Sequence, residues 1–364
     1  MNSNATASKV LPAVLLDAPD DLDEINRLYR AKRWSDGLPI VPPTPARVER
    51  MLEGADGRDR NDIVALLAPA FNAATVERIA INAVMAGCDA SLVPPLLAAV
   101  EAIAVPEFNL QALQATTNSV AVWIVVNGPA AAALEFNGTF NCLGEGAWAN
   151  ATLGRALRLV LRNVGGALPG DLDRATHGQP GKYTFCCAEN EAANPWQPLH
   201  VERNLAREQN AVTVIGAEGT MNMNSHSKDA DELLRVFAET IVHPPSNEYT
   251  HGGEPWIILG PEHAEILDRG GYSKADVKQA LWEATKMHGR RMAKRDLARA
   301  VQSRKAELGD IGPDTLLPIA RRAGDIGLIV AGGPGTHSVY VPCFGNSRAV
   351  TRTFVAVDAS GRAS

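Results

Sequence analysis

Short, nearly continuous apolar runs recur along the chain at 62–68 (DIVALLA), 120–126 (VAVWIVV), 211–215 (AVTVI), 256–259 (WIIL) and 325–331 (DIGLIVA). They are rich in β-branched residues. Several end on turn-forming punctuation: Pro69, Asn127-Gly128-Pro129 and Gly260-Pro261. Runs of this length and composition read as buried strands. Between them apolar residues return at helical spacing, as with Leu22, Ile25 and Leu28 over 21–33 and Val48, Met51 and Leu52 after Thr44-Pro45. Thr75 is placed to cap a helix that runs through Met85 to Gly87, and Ser91 opens another through Ile103. Further helices are expected at 150–164, 227–242, 262–268, 274–287 (opened by Ser273) and 290–306.

Strands alternating with helices predict an α/β fold with mostly parallel sheets and helices on both faces. Val125-Val126-Asn127-Gly128-Pro129 is echoed by Ile257-Ile258-Leu259-Gly260-Pro261, which suggests two duplicated βαβα units. The expected organisation is a tail, Pro-rich arm and helix over 1–60, a first α/β unit over 61–164, a connecting loop over 165–209 and a second unit over 210–364.

The stretch 165–209 breaks the pattern. It carries almost no periodicity, yet holds Lys182, Tyr183, Phe185, Cys186, Cys187, Glu189, Glu191, Trp196 and His200. That composition is wrong for a solvated linker, and a long irregular segment that stays ordered is a candidate site. Before it, the apolar helix from Asn150 carries Arg155, Arg158 and Arg162 within an arc of about 60°. Such a stripe meets buried carboxylates, for which Asp171, Asp173, Glu189 and Glu191 are candidates, or clamps an anionic ligand. The Pro-rich arm Trp34–Pro45 reads as a strap over the body or as part of a site.

The chemistry stays open between several constellations. Cys186 is the leading thiol candidate, with Lys182, His200 and Arg203 near it in sequence, although a Cys in such a run also fits a small buried hydrophobe. Glu189 and Glu191 would share one face of an extended segment and work as acid and base, with Lys182 and Tyr183 alongside. With His200, His226 and His337 they would equally supply a divalent transition metal, although the spacing matches no established metal motif. Gly332–Ser338, a Gly-rich turn after a strand, offers backbone N–H groups for an anion; Gly333, Thr336, His337 and Ser338 are candidate binding residues there, with Asn127, Asn150 and Arg155 elsewhere. No nucleotide-cofactor motif is present.

Composition narrows the field. Of 364 residues, 46% are hydrophobic and 21% charged, and the net charge is −6 without a basic block, which argues against nucleic acid as partner. No apolar run reaches the roughly 18 residues of a membrane helix. Five cysteines without repeated spacing argue against a disulfide framework and for a cytoplasmic setting. A homo-oligomer is expected.

Several stretches also carry a resemblance: Trp34-x-Asp36-Gly37-Leu38-Pro39-Ile40-Val41-Pro42-Pro43-Thr44, Asn82–Cys88, Gln114–Asn118, Val126–Pro129, Ala149–Ala156 and Pro180–Arg203. Together they resemble a poorly characterised bacterial family associated with UGSC-type (seleno)proteins, small proteins with a Sec/Cys-Gly-Ser-Cys motif. The resemblance implies a reductive or thiol-linked setting and a small redox protein as partner, and it carries no catalytic assignment. At Cys186-Cys187 and around Asn194 the chain varies from the family pattern, which leaves the role of Cys187 open. The expected function is an enzyme of lyase or hydrolase type acting on a small, polar, anionic molecule by acid–base or thiolate chemistry. The alternative is a non-catalytic subunit of a thiol or selenol redox complex.

Overall fold

The structure, a computed structural model, describes residues 13–356; the part of the expected N-terminal tail at 1–12 lies outside them. Its strands are β1 (Ile63–Leu67), β2 (Asn72–Thr75), β3 (Ala121–Asn127), β4 (Cys186–Ala188), β5 (Asn210–Ala217), β6 (Met221–Asn224), β7 (Trp256–Leu259), β8 (Met287–His288), β9 (Leu316–Leu317), β10 (Gly327–Val330), β11 (His337–Val341) and β12 (Val350–Phe354). β1 and β2 form a hairpin, and β8 and β9 form a second two-stranded pair. The body is built on two four-stranded sheets, ordered β12-β5-β3-β4 and β10-β7-β11-β6.

The fold is α/β, but the expected parallel sheet is not what forms. Only β3–β4 and β7–β10 are parallel; β3–β5, β5–β12, β7–β11 and β11–β6 are antiparallel. Alternating strands and helices impose a parallel direction only where each crossover returns to the same sheet beside the strand it left. Here β5 returns antiparallel beside β3, and β11 does the same beside β7.

The two sheets repeat one pairing pattern: parallel, antiparallel, antiparallel, reading from β4 through β3 and β5 to β12, and from β10 through β7 and β11 to β6. The fourth strand of each is exchanged. After β5 the chain passes to β6 at the edge of the other sheet, and after β11 it returns as β12 to the edge of the first. So β5 and β12, assigned by sequence to the second unit, pair with strands of the first. The Gly-Pro echo marks the ends of equivalent strands, β3 and β7, although their alternation is one residue out of step. Asn127 points between the sheets with Trp123 and Val125, whereas Leu259 points outward with Ile257.

Alternation along the strands sets the layers. Ile124, Val126, Val212 and Val214 face the helices Val76–Ala86, Val93–Ile103 and Trp148–Asn163. Ile257, Leu259, Leu328 and Tyr340 face Ala230–Ile241, Pro261–Arg269 and Lys274–Ala284. Trp123, Val125, Cys187, Ile215, Trp256, Ile258, Ile329 and Val341 fill the space between the sheets, where the Trp123 and Trp256 rings meet edge-on at 5.7 Å. The result is a helix–sheet–sheet–helix sandwich. Among the described residues no single helix is long and apolar enough to cross a membrane.

Helix boundaries follow local chemistry. Thr75 accepts from the Arg78 N–H at the start of Val76–Ala86, which ends on Gly87 at φ +90. Ser273 and Asp276 form a capping box on Lys274–Ala284. The arginine stripe of Trp148–Asn163 is committed inside the protein. Arg155 clasps Asp36 of the Pro-rich arm at 2.8 and 3.0 Å and also donates to the Pro39 carbonyl. Arg158 pairs with Asp173 at 2.7 Å, and Arg162 donates to the Arg33 carbonyl. Asp171 pairs with Arg33 instead. The arm is therefore a strap fastened by Arg155.

Candidate functional site

The site forms where β3 ends. Gly128, at φ +91, turns the chain into the short helix Pro129–Ala133, and a side chain there would run into the Gln209 carbonyl, 2.3 Å from where its Cβ would stand. This turn aims the Gly128 N–H at Glu191 Oε1, 2.8 Å away. Asn127, fully buried, donates its Nδ2 to Glu189 Oε2 at 2.6 Å and to Glu191 Oε1 at 3.1 Å. Its own Oδ1 is buried without a hydrogen-bond partner.

Both acids arrive on the segment that leaves β4. The Glu189 N–H bonds the Val126 carbonyl at 3.1 Å and the Asn190 N–H bonds the Val330 carbonyl at 2.8 Å, so the segment crosses from the end of one sheet to the end of the other. Glu189 is buried and takes two more donors, Asn194 Nδ2 at 2.8 Å and the Leu199 N–H at 2.7 Å. Burial pushes its carboxyl above the ordinary range, and Lys274 and the donors only partly offset that.

Glu191 differs. It is half-buried, its Oε1 takes both donors, and no donor among the described residues bonds Oε2. His200, on the short helix Leu199–Glu202, is 0% exposed. Its Nε2 lies 3.2 Å from the Arg207 carbonyl, which only accepts, so that nitrogen carries the hydrogen. Its Nδ1 has no hydrogen-bond partner and stands 3.7 Å from Glu191 Oε1. Beyond it, Glu202 is flanked by Lys274 and Lys278, and Lys274 also holds the Gln197 carbonyl at 3.1 Å.

Of the residues singled out from sequence, Asn127, Glu189, Glu191 and His200 come together. Lys182 and Tyr183 do not, because they precede β4 and the acids follow it. Lys182 is paired with Asp173 at 2.8 Å, and Tyr183 is half exposed. Cys186 points to the opposite face of β4, into the helical layer, where burial drives its thiol far above the ordinary value. Buried on that face, Cys186 is not placed to attack a molecule held among Asn127, Glu189, Glu191 and His200.

The remaining candidates have other tasks. Asn150 donates to the Asn137 and Cys142 carbonyls and accepts from the Asn137 N–H, pinning the loop after β3. Gly333 lies under the Phe140 ring, and the Gly332 N–H is spent on the Gly138 carbonyl. The Thr336 carbonyl receives the Ser225 N–H, and His337 faces Asn222. Ser338 is buried, accepts from the Gly260 N–H at 3.1 Å and meets His263 Nδ1 at 2.8 Å. His226 is exposed. The five ligands weighed for a metal do not converge, and among the described residues no group of three or more His, Cys, Asp or Glu is arranged to hold one.

Sequence reasoning missed the Gly128 N–H, Asn194 and Lys274. The first two carried a signal, since Gly-Pro after a strand exposes an N–H and an Asn five residues past a glutamate can reach back. Nothing local marks Lys274. No protein-family model matches this chain, and no curated protein matches it.

Proposed function

We propose that the end of β3 is an acid–base site acting on a small polar molecule, with Glu191 and His200 as the proton-handling pair and lyase or hydrolase chemistry as its class. One observation carries the reading: the wholly buried Nδ1 of His200 has no hydrogen-bond partner and faces Glu191, whose own Oε2 is free. A buried polar atom left unpaired costs about 1–3 kcal/mol, and such costs concentrate at working sites. Glu191 Oε2 accepts a proton from the bound molecule. Asn127 and the Gly128 N–H hold Oε1 and so fix the carboxylate. Once protonated, the carboxyl is held less firmly by those donors, and turning it brings Oε2 in place of Oε1 toward the His200 lone pair, which takes the proton on.

A thiolate step through Cys186 is not part of this proposal. Nor is an anionic substrate, because Arg155 and the Gly332 N–H are committed elsewhere. Glu189 and Glu191 instead favour a neutral or cationic molecule that donates hydrogen bonds. Thermal-shift titration of the full chain with small amines, amides and carboxylates tests this. Amines or amides should raise Tm in wild type, and Glu191→Ala should lose the effect. Stabilisation by carboxylates alone would overturn the charge preference. No response from any class, with Glu191→Ala equally well folded, would return the cluster to a fastening and the chain to a binding subunit.

A further inference from the structure

Five cysteines are present, all buried. Three are accounted for by where they lie. Cys88 donates to the Thr152 carbonyl and Cys186 shares its helical layer. Cys343 bonds the Val341 carbonyl. Cys187, on β4, points the other way from Cys186, into the space between the sheets, and there it meets the fifth, Cys142.

Cys142 reaches it from the loop after β3. The Ala188 N–H bonds the Asn137 carbonyl at 3.1 Å, and Gly138 lies so close on β4 that a Cβ there would stand 2.7 Å from the Ala188 carbonyl oxygen. The Cys142 carbonyl is held by Asn150 at 3.1 Å, and the Cys142 N–H bonds the Thr139 carbonyl at 3.2 Å. These ties set the loop across the end of β4 and bring the two thiols into one buried cluster between the sheets. The environments differ. Cys187 is 0% exposed, whereas Cys142 is 7% exposed beneath the solvent-facing residues 139–141. The Cys187 thiol holds Cys142 below its ordinary value against the effect of burial, while Cys187 itself is raised.

We propose that Cys142 and Cys187 form a reversible disulfide on exposure to a peroxide, which makes this contact a thiol-oxidation site. The Cys142 thiolate attacks one oxygen of hydrogen peroxide; the O–O bond breaks, leaving Cys142 as the sulfenic acid and releasing hydroxide, which is neutralised by the proton Cys142 gave up. The Cys187 sulfur then attacks the Cys142 sulfur, the S–O bond breaks, and the Cys187 proton leaves with the oxygen as water. Two thiols and one peroxide become one disulfide and two waters. The exposed loop supplies the movement that closes the sulfurs to bonding distance. The inference stands apart from the acid–base reading, since it uses neither Glu191 nor His200.

The test treats the full-length protein with hydrogen peroxide, blocks remaining thiols in denaturant under acid, and maps the peptides by mass spectrometry. Free thiols should fall from five by two, the 142- and 187-containing peptides should appear linked, and dithiothreitol should restore both. Cys186→Ser should keep the link and Cys142→Ser should abolish it, with circular dichroism confirming that each variant folds. A link through Cys186, no loss of thiols, or Cys142 oxidised to the sulfinic acid while Cys187 stays alkylatable would each overturn the proposal. The wild-type map alone suffices to decide it.

Discussion

Glu191 Oε1 stands 3.7 Å from His200 Nδ1, too far for a hydrogen bond and close enough for one small movement to make it. With Nε2 tied to the Arg207 carbonyl, the resting imidazole carries its hydrogen on Nε2 and a bare lone pair on Nδ1. Nitrogen-15 NMR of labelled protein should show that tautomer, and Glu191→Gln should shift the Nδ1 resonance while leaving Nε2 in place. An Nδ1–H tautomer in the resting protein would contradict the arrangement.

Glu248 gives stability a distinct pH dependence. It is 0% exposed, receives the Cys343 N–H at 2.9 Å and the Ser246 hydroxyl at 2.8 Å, and is bonded by Tyr340. Burial outweighs these donors and pushes its carboxyl up to about 8. The folded state therefore holds a proton that the unfolded chain gives up near the ordinary carboxylate value, and stability falls as pH rises from there through about 8. Glu248→Gln mimics the protonated carboxyl. Urea unfolding from pH 5 to 9 should show a shallower decline in this variant than in wild type; parallel declines would exclude Glu248 as the source.

Asp173 acts in the opposite direction. Burial pushes its carboxyl up, but Lys182 and Arg158 outweigh burial and leave it below its ordinary value. Its contribution is present above the unfolded value and is lost as pH falls through the folded one. Asp173→Ala leaves two cations facing each other and should cost about 3–5 kcal/mol in urea unfolding near neutral pH. A cost under about 1 kcal/mol, the range of an exposed pair, would show that the cations find other partners.

Arg155 fastens the Pro-rich arm through Asp36 and the Pro39 carbonyl. Arg155→Ala should expose the 34–45 segment to limited proteolysis under conditions where wild type resists, and Asp36→Asn should do so more weakly. Unchanged cleavage would mean that apolar packing of Ile40 alone holds the strap.

The sequence showed the elements better than their arrangement. β3 and β7 were legible as dense β-branched runs, and helix starts at Thr75 and Ser273 were legible because one side chain does the capping. β6, β11 and β12 were not. β6 (Met221-Asn222-Met223-Asn224) and β12 (Val350-Thr351-Arg352-Thr353-Phe354) break the apolar run with polar residues, and in β11 the adjoining Gly332–Gly335 turn dominated the reading. The exchange of β6 and β12 leaves no local trace, since it depends on which sheet a connection reaches. At the site, Glu189, Glu191 and His200 were visible as a dense run of polar side chains in an irregular segment. That Arg155 and Lys182 are spent on Asp36 and Asp173, and that Cys186 faces the helices while Cys187 faces Cys142, are facts of tertiary packing.

The most direct test of the acid–base site compares wild type with Glu191→Gln, which keeps an oxygen for Asn127 and Gly128 but cannot accept a proton. Both proteins, checked for equal Tm, are incubated in D2O with a defined mixture of small amines, amides and hydroxy compounds and followed by proton NMR. Wild type should consume a component, or exchange its hydrogen for deuterium, at a rate that Glu191→Gln lowers by about 10²–10⁴-fold. An equal rate in the two proteins, or no change of any component with wild type, would contradict the assignment.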